Sequence, residues 1–223
     1  MIFGSISYLN LLPFQVFLKK HLKHSSSKMA FNYKRDVPSA INKALRKGHI
    51  NAGFISSIES SRYRCSNLGI ISNKMVYSVF VIKGEAKKDK ESASSNRLAK
   101  VLNIQGEVII GDKALKYYLD GGEGIDLSLE WYKRTKLPFV FGRLCFNCYS
   151  KNIRTITKSF IKTPIKIPQY ILKKEAKKRQ ITTKQLLWYL EHISYKMDYK
   201  AEKSLKLFLK LSNLMEKERR RVI

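Results

Sequence analysis

The stretch that most constrains the fold is Gly4-Ser5-Ile6-Ser7-Tyr8-Leu9-Asn10-Leu11-Leu12-Pro13-Phe14. Ile2, Phe3 and Ile6 form a short apolar run that reads as a buried strand. The run ends in a polar tip, Ser7 to Asn10. Pro13 then falls in the first turn of a helix, where its fixed φ fits and its missing N–H is not needed. Phe14, Phe17 and Leu18 supply the apolar side of that helix. Strand, polar tip and helix N-terminus in this order place the tip outside the carboxyl end of a strand, where open α/β sheets bind ligands. A helix N-terminus there offers free N–H groups and a partial positive charge.

The same switch recurs along the chain. A polar loop, His24 to Lys28, precedes a short strand over Met29–Tyr33. Asp36-Val37-Pro38 opens a helix with Ile41, Ala44 and Leu45 on one face, closed by Gly48 at C′. A strand over Ile50–Ile55 runs into Ser56-Ser57-Ile58-Glu59, a second polar tip in which a serine is expected to cap the helix. Leu68–Ile71 and Met75–Ile82 read as two more strands, and Ser78 is a small polar residue in the second. Lys83 to Glu91 is charged and polar, as a crossover between lobes would be. Ser92-Ala93-Ser94-Ser95-Asn96 starts a third helix, and Gly111-Asp112-Lys113-Ala114-Leu115 follows a strand over Glu107–Gly111. Gly111 lets the backbone come close to a ligand. Asp126 is an N-cap, and Leu137–Gly142 a buried strand. Helices are expected over 152–161 and 167–179. A capping box at Thr182-Thr183-Lys184-Gln185 starts a helix striped by Leu186, Leu190, Ile193 and Met197, and Leu205, Phe208 and Leu209 mark a last one.

Two βαβα blocks with a composition break near 83–91 and a helical tail give an α/β, two-lobed architecture with a ligand cleft between the lobes. The expected division is residues 1–82 with 172–223 as one discontinuous lobe and 83–171 as the other.

The net charge of +27 is the main oddity of composition. The excess is mostly Lys, 32 against 12 Arg, and is spread along the chain. Clusters such as Lys173-Lys174, Lys177-Lys178-Arg179 and Arg219-Arg220-Arg221 fall on helices or at the end. With no RNA-binding motif or zinc-finger spacing, this reads as a solvated face rather than a nucleic-acid site. Such a field also steers a small dianion toward a cleft. No apolar run is long enough for a membrane span, and the interrupted N-terminal run does not resemble a signal peptide, so a cytoplasmic protein is expected.

Cys65, Cys145 and Cys148 are odd in number, which argues against a disulfide framework and for a reducing compartment. Cys145 and Cys148 have CxxC spacing, but no second pair follows to complete a zinc site, so core or strand-end cysteines are expected. His21, His24, His49 and His192 form no metal pattern.

Ser7-Tyr8-Leu9-Asn10 followed by Pro13 resembles the signature of the chorismate dehydratases of the futalosine route to menaquinone. The resemblance continues through Val37-Pro38-Ser39, Gly48-His49-Ile50, Ile55-Ser56-Ser57, Val76-Tyr77-Ser78-Val79, Gly111 to Leu115, Trp131 and Thr135 to Phe141. Three features depart from the family pattern, one of them a tail after Phe141 that lacks an expected Ala and Trp. Asn51 stands where Asp is usual, and Ser92-Ala93-Ser94-Ser95 replaces a Ser-Arg-Thr-Ser cluster, so its Arg is missing.

The resemblance implies a type II periplasmic-binding-protein-like fold used as a cytoplasmic carbon–oxygen lyase, with no cofactor and no metal. The substrate is a dianion, chorismate, and the product 3-[(1-carboxyvinyl)oxy]benzoate. Hydroxyls, an amide and helix N-termini could hold its carboxylates without a buried cation. Asn10 and Ser78 are the expected groups at the reacting centre. Ser7, Tyr8, Ser56, Ser57, Ser92, Ser94, Ser95, Gly111 and Asp112 are expected to bind substrate. Three other readings stay open: the sister dihydroxynaphthoate synthase, which would need a His close to the cleft; a non-catalytic binding protein for a small carboxylate; and a nucleic-acid-binding protein argued from charge alone.

Overall fold

The structure is a computed structural model that describes residues 1–23 and 32–221. The loop expected at 24–28, and residues 29–31 of the strand expected to follow it, lie outside the described residues. The larger sheet has the order β2-β1-β3-β8-β4-β9. β1 (Ile2–Ile6) lies parallel between β2 (Asn32–Asp36) and β3 (Ala52–Ser56). β8 (Phe139–Phe146) inserts antiparallel between β3 and β4 (Arg64–Ser72), and β9 (Ser194–Lys196) pairs with β4 at the edge. The smaller sheet has β5 (Val79–Ile82) between β6 (Glu107–Ile110) and β7 (Ile125–Asp126), all antiparallel.

Parallel β1–β3 require crossovers, and helices supply them. After β1 the chain makes one 3-10 turn, Leu9–Leu11, and enters α1 (Leu12–Lys23) with Pro13 in its first turn. Phe14 of α1 stacks on Phe3 at 5.8 Å and meets Phe54 and Phe160 edge-on at 5.1 and 5.2 Å, which welds the helix to the sheet. α2 (Pro38–Arg46) ends as expected, with Gly48 at φ +71°. α3 (Ser57–Ser60), α4 (Ala93–Val101), α5 (Gly111–Leu119) and α6 (Leu127–Thr135) follow. Asp126 caps α6 by accepting from Ser128 N and Leu129 N.

α7 (Ser150–Lys162), α8 (Gln169–Lys178), α9 (Thr183–Glu191) and α10 (Tyr199–Arg221) form the tail. The capping box of α9 is present as read from Thr182 and Gln185. The tail packs back on the larger sheet and on α4: α7 packs on β4, and α10 on β8 and α4. Trp131 meets Phe139 and Phe208 edge-on, and its indole N–H donates to Ser204 Oγ at 2.9 Å.

Five expectations are corrected. The strand expected from Met75 begins only at Val79. Val76 N and Tyr77 N both donate to Asp126 Oδ2 (3.0 and 2.9 Å), and Tyr77 has φ +59°, so this segment is a turn that links the sheets. The stripe Leu186–Met197 is not one helix, because α9 stops at Glu191 and residues 194–196 form β9. Ser56 does not cap α3; its hydroxyl instead accepts from Asn42 Nδ2 at 2.9 Å. The lobe boundaries shift, since β5 lies in the smaller sheet and β8 in the larger, so the chain crosses over at about 73–78 and again before Phe139, not at 83 and 171. Finally, Cys65 and Cys145 form a disulfide, leaving Cys148 free and exposed. They face each other directly in the antiparallel β4–β8 register, a juxtaposition that a separation of 80 residues hides from the sequence.

Candidate active site

A narrow cleft lies between the two sheets. The polar tips converge on it. Tyr8 and Asn10 come from the β1 tip, Ser56 from the end of β3, Ser78 from the linking turn, Ser92 and Ser95 from the start of α4, and Gly111 from the start of α5. Ile6, Ile55, Ile70, Val76, Val79, Ile110 and Phe141 make the apolar wall.

Asn10 is distinctive. Its backbone carbonyl accepts from the Tyr195 hydroxyl at 2.6 Å, which fixes the residue. Its side-chain Oδ1 is buried and has no partner in the protein. Buried polar atoms are nearly always paired, so an orphan in a cleft marks a place for a ligand.

Ser78 is buried, and its Oγ lies 2.9 Å from the Tyr189 hydroxyl. Tyr189 is itself buried, and burial pushes its phenol well above the usual tyrosine range, so it keeps its proton. A buried phenol O–H needs an acceptor, and Ser78 is within reach. Either hydroxyl can donate in this pair, and when Tyr189 does, the Ser78 proton is free to point into the cleft. Ser92 caps α4 by accepting from Ser95 N at 3.1 Å and donates to Ser95 Oγ at 2.8 Å.

The Tyr8 hydroxyl donates to Glu91, across from the large-sheet tip to the loop before α4. Burial first, and then the Glu91 carboxylate, push its pKa up, so it stays a donor. Its ring lies against Gly111, where a Cβ would come within 2.8 Å of it and where φ is +67°. Gly111 is thus required by the Tyr8 ring, which was not the reason read from the sequence.

Four expected site residues lie elsewhere. Ser7 is exposed, and its carbonyl accepts from Arg179 Nη2 at 2.8 Å. Ser57 and Ser94 are fully buried with their hydroxyls 2.9 Å apart, and Ser94 Oγ also accepts from Ile58 N, so this pair staples α3 to α4. Asp112 Oδ1 accepts from Leu9 N at 3.0 Å, and its Oδ2 takes Arg179 Nε at 2.5 Å. Burial raises the Asp112 pKa more than the Arg179 charge and the Leu9 N–H lower it. Asp112 and Arg179 therefore clamp the Ser7–Leu9 tip from behind rather than touching the cleft. Tyr189, Tyr195, Arg179 and Asn42 are the residues that sequence reasoning missed. Tyr189, Tyr195 and Arg179 act through partners far away in the chain, and Asn42 through Ser56 in the next strand.

Among the described residues no Lys, Arg, Asp, Glu or His lines the cleft. Ala93 is half-buried, and no cation stands in the lining. What remains is a set of neutral donors on rigid elements, suited to hold an anion and to stabilise charge that develops on it.

A family model described as menaquinone biosynthesis matches residues 1–103 and 98–213. A protein of Campylobacter jejuni named chorismate dehydratase is 48% identical over 217 residues, covering 94% of this chain and 96% of that protein. Among solved structures, protein AF1704 of Archaeoglobus fulgidus superposes with a TM-score of 0.71 at 13% identity, covering 96% of this chain and 97% of that one. The periplasmic aliphatic sulphonate binding protein SsuA of Escherichia coli gives 0.54 at 15% identity, covering 98% and 92%. These two show the fold alone, that of the periplasmic binding proteins. The resemblance read from the Ser7–Pro13 stretch holds over nearly the whole length, and the chain belongs to the menaquinone-biosynthesis family.

Proposed function

We propose that this chain is a chorismate dehydratase, which eliminates water from chorismate to give 3-[(1-carboxyvinyl)oxy]benzoate on the futalosine route to menaquinone. The observation that carries the reading to the residues is the buried, unpartnered Asn10 Oδ1 in a cleft lined by neutral donors, in a chain 48% identical to a chorismate dehydratase.

The reaction breaks a ring C–H bond and the neighbouring C–OH bond. The C–H is conjugated through the diene to the ring carboxylate, so its electron pair can spread there before the C–O bond breaks. The hydroxyl then leaves with a proton as water, and an aromatic ring forms. Among the described residues the cleft has no carboxylate or imidazole to act as base. The proton therefore passes to a carboxylate of the substrate itself, and the protein contributes position and hydrogen bonds. Asn10 meets the reacting centre. Ser78, oriented by Tyr189, donates to the charge that develops. Ser56 and Ser95, whose hydroxyls accept within the protein and keep a proton to donate, hold the carboxylates. The sister dihydroxynaphthoate synthase would need a cleft histidine, and His192 packs on Tyr77 and Trp188 instead.

Asn10→Ala tests the assignment. Turnover should fall by about a hundredfold or more, while thermal stability stays unchanged because the atom removed has no protein partner. Full turnover in this variant would remove Asn10 from the mechanism. A cytoplasmic setting is part of the same proposal. Alkylation under denaturing conditions at the moment of cell lysis tests it, since a reducing compartment keeps Cys65 and Cys145 as thiols.

A further inference from the structure

A second hollow, of about 930 Å³ and open to solvent, is lined by Arg64, Cys65, Ser66, Asn67, Phe146, Ser150, Arg154, Thr157 and Lys158. It shares no residue with the cleft. Its three cations come from the start of β4 and from α7, and all three are exposed. No acidic residue lines it, and among the described residues none of Arg64, Arg154 and Lys158 makes an ion pair. Ser150, Arg154, Thr157 and Lys158 follow helical spacing, so they share one face of α7.

Two further observations point to a ligand. Thr157 is 5% exposed, and its Oγ1 is buried without a partner. A threonine inside a helix ordinarily returns its hydroxyl to the carbonyl four residues back. Thr155, on the same helix, does so to Lys151 O at 3.1 Å, and Thr157 does not. In addition, the first turn of α7 begins at Ser150 with no side-chain cap, so its N–H groups are not covered by Tyr149.

We infer that this hollow is a second anion site, for a phosphate group, separate from the catalytic cleft. Three unpaired cations favour a ligand with more than one negative charge. Guanidinium forks, hydroxyls and the N–H groups of a helix start match a tetrahedral oxyanion with several acceptor oxygens. The group could be inorganic phosphate or the headgroup of a phosphorylated metabolite.

Isothermal titration calorimetry at fixed ionic strength, with inorganic phosphate in one arm and glycerol 3-phosphate in the other, tests this. Saturable one-site binding is expected. It should weaken at least tenfold in Arg154→Gln/Lys158→Gln. It should be unchanged in Lys206→Gln/Lys210→Gln, which removes the same charge from exposed positions of α10. Thr157→Val should weaken it several-fold without lowering thermal stability, since the lost hydroxyl has no protein partner. Binding of phosphate alone assigns the free ion, and binding of both assigns the phosphoryl group in general. Absence of saturable binding, or equal weakening in the two double variants, would overturn the site.

Discussion

The Tyr189 hydroxyl lies 2.9 Å from Ser78 Oγ, joining α9 in the tail to the turn that links the two sheets across 111 residues of sequence. Tyr189→Phe removes the hydroxyl that orients Ser78. Turnover should fall about tenfold, and stability should drop by about 1 kcal/mol, the usual net value of one hydrogen bond. Ser78→Ala should cost more, about 1–3 kcal/mol, because it strands a buried phenol. The double variant should recover part of that loss, and a double-mutant cycle in urea measures the coupling.

Asp112 and Arg179 should behave as positioning residues. Asp112→Ala frees Leu9 N and leaves Arg179 with Glu175 and the Ser7 carbonyl. The β1 tip loosens, so KM should rise more than kcat falls, with a stability loss of about 1–3 kcal/mol. Steady-state kinetics set beside a denaturation curve separates this from a direct role, which would strike kcat alone.

Asp126 carries the pH dependence. Burial pushes its pKa from 3.8 up to about 6, against the pull of four backbone N–H groups. The folded state then binds a proton more tightly than the unfolded state. Stability associated with that proton is complete below about pH 4 and is lost as pH rises to about 6, an effect on the order of 3 kcal/mol. Thermal melts should show this component falling between those limits and flat above them. Asp126→Asn should abolish the slope in that window.

The disulfide predicts one reactive thiol, Cys148, in the oxidised protein and three after reduction. Cys65→Ser/Cys145→Ser should lower stability by about 2–5 kcal/mol. Thiol titration under denaturing conditions, with and without reductant, reads the first point. Urea unfolding reads the second.

Much of this was legible in sequence because the signals are local. Pro13 and Gly48 punctuate helices, Asp126 and the Thr182–Gln185 box cap them, and the polar tips sit where strands change to helices. Of the expected site residues, Tyr8, Asn10, Ser56, Ser78, Ser92, Ser95 and Gly111 meet in the cleft, while Ser57, Ser94 and Asp112 at helix starts do not. What sequence did not reveal depends on partners distant in the chain. Asp112 sits at a helix start like the others, but its fate was decided by Arg179, 67 residues on. The Cys65–Cys145 pairing depends on β8 inserting between β3 and β4, and no local pattern encodes that register. The three residues of β9 are too few to show a period. Tyr77 carries a strand-forming side chain, yet two N–H bonds to Asp126 turn the backbone out of the strand.

The most direct test of the account is to incubate the purified protein with chorismate and follow the products by mass spectrometry. Loss of one water to the enolpyruvyl benzoate is expected, together with its near-abolition in Asn10→Ala. Chorismate that is bound but recovered unchanged would contradict it and make the chain a receptor built on the same fold.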